Sequence, residues 1–145
     1  MNVSVREMTA ADSHLWDEFV ASCSDATFFH RAGWKRVLEQ AFGHRTYFLM
    51  AEVEDKIVGV LPLAQIKSLL FGNSLSSLPF CVYAGIAAVS GDANNALREA
   101  ACRLAEQLGV GALEFRDSEA TLAGWSGKDL YYTFRKDIVT DNDVN

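Results

Sequence analysis

Proline and cysteine are both scarce in this chain of 145 residues, with two of the first and three of the second. So few prolines leave almost the whole length free to enter regular elements. Cys23, Cys81 and Cys102 lie far apart, in no CxxC or Cys/His spacing. That pattern argues against zinc and suits buried thiols in a reducing compartment. His14, His30 and His44 are equally scattered, so no metal ligand set is expected. Long apolar runs are missing too. Stretches such as IVGVLPLA are too short to span a bilayer, and the opening MNVSVREMTA has no apolar core of a secretory signal. A cytoplasmic location without a membrane span is the expectation. A basic excess is also absent: 13 Lys and Arg stand against 19 Asp and Glu, a net charge of −6. Direct nucleic-acid binding, which draws on clustered cations, is therefore not expected.

The residues that are present read as a mixed α/β domain. Val3 and Val5 alternate with polar neighbours as a first strand, and Thr9 with Asp12 three residues on can cap a helix. Leu15, Trp16, Phe19, Val20 and Cys23 then recur at helical spacing. In a second helix Trp34, Val37, Leu38, Ala41 and Phe42 form one stripe, closed by Gly43. TYFLMAEV and IVGVLPLAQIKS, joined at Glu54-Asp55-Lys56, predict a hairpin over residues 47–53 and 57–66. Pro62 has no N–H for a ladder, so a bulge or a locally unpaired stretch is expected around it, with Gly59 marking a bend. Phe71-Gly72-Asn73 reads as a turn, followed by the extended segments SLSSLPF and AGIAAV. A third helix runs from about Asp92, its N-cap, to Leu108, with Gly109 ending it. ALEFR and LYYTFRKDIV close the pattern as strands, before a frayed TDNDVN. The order predicts five to seven mostly antiparallel strands with helices on the sheet faces.

Specific strings narrow this further. FFHRAGWKRVLEQAFGHRTYFLMAE, then GVLPLAQIKSLLFGNSLSSLPFCVYAG, and late in the chain YYTFRKDI, resemble the N-terminal part of FemAB-like proteins. The similarity is greatest to the FemAB-related proteins of exopolysaccharide and PEP-CTERM systems. The resemblance implies a GNAT-like domain over residues 1–140, with 141–145 as a tail. It also implies a role as the acceptor-side half of an aminoacyl or acyl transferase acting on cell-envelope or exopolysaccharide precursors. The partner it implies is a second GNAT-like domain, outside this chain, that binds the donor; the substrate is a small-molecule, glycan or peptide precursor. Two alternatives stand beside it: a single-domain acetyl-CoA-dependent N-acetyltransferase, and a non-catalytic binding or assembly module.

The resemblance places substrate contacts near the start of the second helix, at Arg31, Trp34 and Lys35, with His30 beside them. Arg31 and Lys35 lie four apart and can share a helix face, suiting a phosphate or carboxylate. Tyr83, in PFCVYAG, can offer its hydroxyl to the cleft. No catalytic residue is assigned. Cys81 has no evident base or cationic setting, and Glu114 with Arg116 fits either a pair facing the cleft or a solvent-facing ladder pair. No cofactor is expected. An acyl-CoA site needs bare backbone donors at the turn before the third helix, and AAVSGDANNAL offers one glycine, Gly91, and an acid, Asp92. The aromatic density of LPFCVYAG and LYYTFR predicts an exposed apolar patch and self-association, with Tyr83, Tyr131 or Tyr132 near the contact.

Overall fold

The computed structural model describes residues 2–70, 72–117 and 124–127. Its elements run β1 (Ser4–Glu7), a 3-10 turn (Ala10–Asp12), α1 (Ser13–Ser22), a second 3-10 turn (Phe28–His30) and α2 (Gly33–Phe42). There follow β2 (Arg45–Val53), β3 (Lys56–Ser68), β4 (Gly72–Ser77), β5 (Ala87–Ala88), α3 (Gly91–Leu108) and β6 (Ala112–Glu114). The strands form one sheet in the order β1-β2-β3-β4-β6, with β5 on the β4 side of β3. All pairings are antiparallel except that of β4 with β6. The expected final strand, LYYTFRKDIV, lies outside the described residues.

Local chemistry explains most boundaries. The Asp12 carboxylate accepts from both the N–H and the hydroxyl of Thr9, each at 2.7 Å, and so fixes the entry to α1. Arg6 reaches the same carboxylate and that of Glu52, tying β1 to this turn. Asp12 is consequently held well below the usual carboxylate range, chiefly by Arg6. Gly43 and Gly109, both left-handed, end α2 and α3 as expected. The hairpin forms with Glu54 and Asp55 both at positive φ (49° and 61°), the geometry of a tight two-residue turn. Between β3 and β4 the expected turn is displaced: Leu69 and Leu70 make it, while Gly72 and Asn73 already pair in β4.

The sheet separates two apolar layers. On one face α1 and α2 cover Phe48, Met50, Val60 and Ala64, with Trp16 stacked on Phe48 at 5.2 Å. On the other, α3 presses Ala93, Leu97, Ala101 and Ala105 onto Leu49, Leu61, Leu63 and Leu75. Gly59 admits this contact, because a Cβ there would sit 2.9 Å from Leu97 Cδ1 and 3.1 Å from the Ala88 Cβ. The bend expected near Gly59 is present as a register shift, since Ala51 pairs Gly59 while Glu52 pairs Ile57.

Pro62 marks where the sheet splits. One flank of β3 pairs with β5 at Gly59 and Val60, then with β4 from Leu63 to Ser68, leaving a gap between. Pro62 faces Phe48 across the hairpin, but the Phe48 carbonyl is taken from the far side by Met8 N–H. The backbone edge of Pro62 therefore points into the gap. Its missing N–H costs nothing there, and its carbonyl accepts from Leu78 N–H at 3.2 Å.

Candidate functional site

From this gap the chain leaves the sheet at Leu78 and returns at Ala87. The excursion lies at the C-terminal end of β4, beside the C-terminal end of its parallel neighbour β6. Three of its non-glycine residues, Leu78, Phe80 and Tyr83, have positive φ (42°, 73° and 55°). Such conformations persist only where the surroundings enforce them. Here side chains from two directions grip the loop's backbone. Arg116 Nη1 donates to the Cys81 carbonyl at 2.9 Å, and the Thr27 hydroxyl donates to the Tyr83 carbonyl at 3.0 Å. His30 Nε2 lies 3.0 Å from the Gly85 carbonyl, and Asp117 accepts from Ile86 N–H at 3.3 Å. Gly85 has to be glycine, since a Cβ would fall 1.8 Å from Asp117 Oδ1.

His30 is the central clamp. The Gly85 carbonyl can only accept, so Nε2 carries the proton and Nδ1 accepts the Thr27 N–H at 2.9 Å. The His30 carbonyl takes the indole N–H of Trp16 at 2.6 Å, anchoring the turn to α1. Burial pushes the imidazole below its usual value, against smaller opposing contributions from Gly85, Thr27 and Asp117. With both nitrogens engaged and little tendency to protonate, His30 holds the loop and is not free to shuttle protons.

The sequence-predicted residues are not brought together as the spacing implied. Arg31 falls before α2, in extended backbone (φ −59°, ψ 139°), so it shares no helix face with Lys35. Instead Arg31 turns to Asp17 of α1 at 3.4 Å. Lys35 turns inward, donating to Glu39 and to the Thr46 hydroxyl of β2 at 2.6 and 2.7 Å. That hydroxyl donates in turn to Glu39, whose carboxyl is held below its usual range, first by Lys35. Trp34 is half-buried in an aromatic trio with Phe28 and Phe29, the centroids 5.7–6.0 Å apart. Tyr83 stands on the clamped loop rather than on a strand. Cys81 is buried, and that burial pushes its thiol up against a smaller opposing effect of Arg116. Glu114 and Arg116 do pair, at 3.0 Å. Sequence reasoning missed Thr27 and Asp117 as clamps. Their partners are backbone atoms more than 30 residues away, which no local pattern shows.

The start of α3 differs from expectation in one respect. Ser90, not Asp92, is the N-cap, and its hydroxyl accepts from Ala93 N–H at 3.2 Å. Asp92 is exposed in the first turn. The cleft beside it, about 360 Å³, is lined by Asp25, Ala88, Val89, Ser90, Gly91, Asn94 and Asn95, two small amides and an acid with no cation. A pyrophosphate wants bare N–H donors and positive potential. This helix end, with a hydroxyl already on one donor and two carboxylates nearby, does not fit one. Among the described residues no cluster of His, Cys, Asp or Glu is placed to hold a metal, and no helix is long and apolar enough to cross a membrane.

No protein-family model and no curated protein matches the chain. Solved structures do. An aminoglycoside acetyltransferase from an uncultured soil metagenomic sample superposes with TM-score 0.64 at 14% identity, covering 94% of this chain and 100% of its own. A GNAT family acetyltransferase of Staphylococcus aureus gives 0.60 at 12% identity, with 93% and 99% covered. A ribosomal-protein-alanine N-acetyltransferase from Brucella melitensis gives 0.59 at 14%, with 91% and 100% covered. The fold is therefore that of GNAT acetyltransferases, a mostly antiparallel sheet flanked by helices.

Proposed function

We propose that this domain serves acyl transfer as the acceptor side of a FemAB-like aminoacyl or acyl transferase acting on cell-envelope or exopolysaccharide precursors. The donor is then held by a second GNAT-like domain. The observation that carries this reading is the start of α3. A coenzyme-binding acetyltransferase domain holds the pyrophosphate at this position, and here the helix end is self-capped and bordered by Asp25 and Asp92. The resemblance of the sequence strings to FemAB-like proteins is what supports the finer assignment. What remains chemically equipped is the split between β4 and β5. Its clamped loop carries Tyr83, and the turn that grips the loop leads directly into Arg31. In this role Tyr83 and Arg31 orient an acceptor, while Trp34 packs on the turn and Lys35 ties α2 to β2.

A second reading, a single-domain acetyltransferase, is favoured by one fact: the chain spans 99–100% of the three acetyltransferase structures just described. Calorimetry with acetyl-CoA separates the two. The acceptor-side reading expects no saturable heat up to millimolar coenzyme, that is, binding weaker than about 4 kcal/mol. Micromolar binding would transfer the assignment to the second reading. Nucleotide-sugar precursors, by contrast, should bind, and Arg31→Ala should weaken them about tenfold through loss of a charged hydrogen bond.

A further inference from the structure

Two of the carbonyls on the loop are held by side chains that depend on each other. The Thr27 hydroxyl donates to Tyr83 and His30 Nε2–H donates to Gly85, each at 3.0 Å. His30 Nδ1 in turn accepts the Thr27 N–H at 2.9 Å, closing the short turn Phe28–His30 as a capping box. One imidazole therefore shapes the turn and grips the loop at once.

A proton reverses the sense of one of these bonds. On Nδ1 it places an N–H where an acceptor stood, facing the Thr27 N–H at 2.9 Å. The Thr27 hydroxyl, 3.2 Å from the ring, can take the new proton, but the Thr27 N–H then loses its acceptor and the turn its cap. The charged ring would also be enclosed, since His30 is 1% exposed. Leaving the niche for water relieves both penalties, and in leaving it the ring lets go of Gly85. The turn that carries the Thr27 hydroxyl to Tyr83 loosens in the same event.

The groups around the ring set its response. Asp117, in the segment after β6, favours the charged form. Asp17 of α1 is engaged by Ala32 N–H and Arg31, and Lys35 of α2 by Glu39. Arg116 is taken by Glu114 and the Cys81 carbonyl, and Asp25 lies at the cleft beside α3. On this side β3 presents Val60 and Ala64, neither of them titratable. The loop has no charged residue, and its Cys81 thiol and Tyr83 phenol stay neutral in acid. His44 touches the loop at Phe80, where its protonation would add a cation–π attraction and tighten the contact.

Two other grips do not involve the imidazole. Arg116 keeps the Cys81 carbonyl, and Asp117 keeps Ile86 N–H. The stretch between these fixed points contains Tyr83. We propose that His30 is a proton-operated latch: the neutral ring holds residues 82–85 closed, and proton uptake frees them between Cys81 and Ile86 while the sheet and helices persist. The latch follows from these contacts alone; that its opening withdraws Tyr83 from an acceptor rests on the acceptor-side reading.

NMR of the labelled full chain tests it without any ligand, from neutrality to pH 4.5, the ordinary value of a carboxylate such as Glu39. The imidazole should titrate below the usual 6.5. The amides of Val82, Tyr83 and Ala84 should shift with the same midpoint, while those of β3 and α3 stay in place. Between 6.5 and the folded value, each pH unit should raise the ratio of open to closed loop about tenfold. His30→Gln offers an amide oxygen to Thr27 and an amide N–H to Gly85 but cannot titrate, so its loop amides should not move. Asp117→Asn keeps an oxygen for Ile86 and removes the charge, which should lower the midpoint. Should His30→Gln fail to fold, an unchanged midpoint in Asp117→Asn overturns the proposal. So does a ring that titrates while the loop amides stand still, a loop transition that survives His30→Gln, or loop motion seen only with loss of the whole fold.

Discussion

At the scale of single residues, His30 is where physical chemistry says most. It is buried, neutral, and bonded through both nitrogens to backbone groups on different segments. Replacing it with Ala leaves a buried N–H and a buried carbonyl unpaired, a loss of about 1–3 kcal/mol per group. Chemical denaturation should show a deficit of at least that size. The pH dependence follows from its lowered folded pKa. Between the folded value and the usual 6.5 the unfolded chain binds more protons, so stability rises with pH in that window. The His30 contribution is complete above 6.5 and is lost as pH falls below it, before Glu39 departs from its usual 4.5. His30→Gln, which cannot titrate, should show a flatter stability profile between pH 6.5 and 4.5. An equal slope in both proteins would assign the acid sensitivity to other groups.

At the scale of elements, each helix meets the sheet in its own way. α2 depends on Leu38, so Leu38→Ala should cost about 2–5 kcal/mol, while Val37→Ala on the exposed side should be close to neutral. α3 depends on a close approach: Gly59→Ala drives a methyl into Leu97 and Ala88, and overpacking of this kind costs about 1–3 kcal/mol. Thermal melts of the three variants check both statements, and a stable Gly59→Ala would mean that α3 can retreat from the sheet without loss. These elements were legible in the sequence because their signals are local. Helical stripes, the Gly43 and Gly109 stops, the polar hairpin turn and the β-patterned runs all act within a few residues. The N-cap of α3 was misjudged by two positions because Ser90 and Asp92 are both good caps and only the chain's path selects between them. The turn between β3 and β4 shifted for a related reason. Pairing of Lys67 with Asn73 and Ser68 with Gly72 continues the ladder through residues that locally favour a turn. Arg31 was misplaced because it closes the 3-10 turn in extended backbone, ahead of the helix whose face its spacing from Lys35 suggested it would share.

At the scale of the whole molecule, β3 is the organising strand, pairing with β2 on one edge and with β5 and β4 on the other. Its amides should exchange with solvent most slowly, near the global unfolding limit, while those of Phe80 and Val82 on the exposed loop should exchange fast. Hydrogen exchange followed by mass spectrometry or NMR would show the contrast, and uniform protection across both regions would contradict it. The candidate site was the least legible part of the chain. Thr27, His30, Arg116 and Asp117 grip the loop from positions scattered across the sequence, mostly through backbone carbonyls. Such contacts leave no mark on which side chains are chosen nearby. The split at Pro62 has one further consequence. Because β4 and β5 each take their register from β3 independently, the segment joining them is topologically a spacer. Residues can be added to it or removed from it without a slip propagating into either pairing, and each doubling of its length adds only about 0.6 kcal/mol of closure entropy. The architecture therefore leaves the register of the flanking strands independent of the number of residues in this loop.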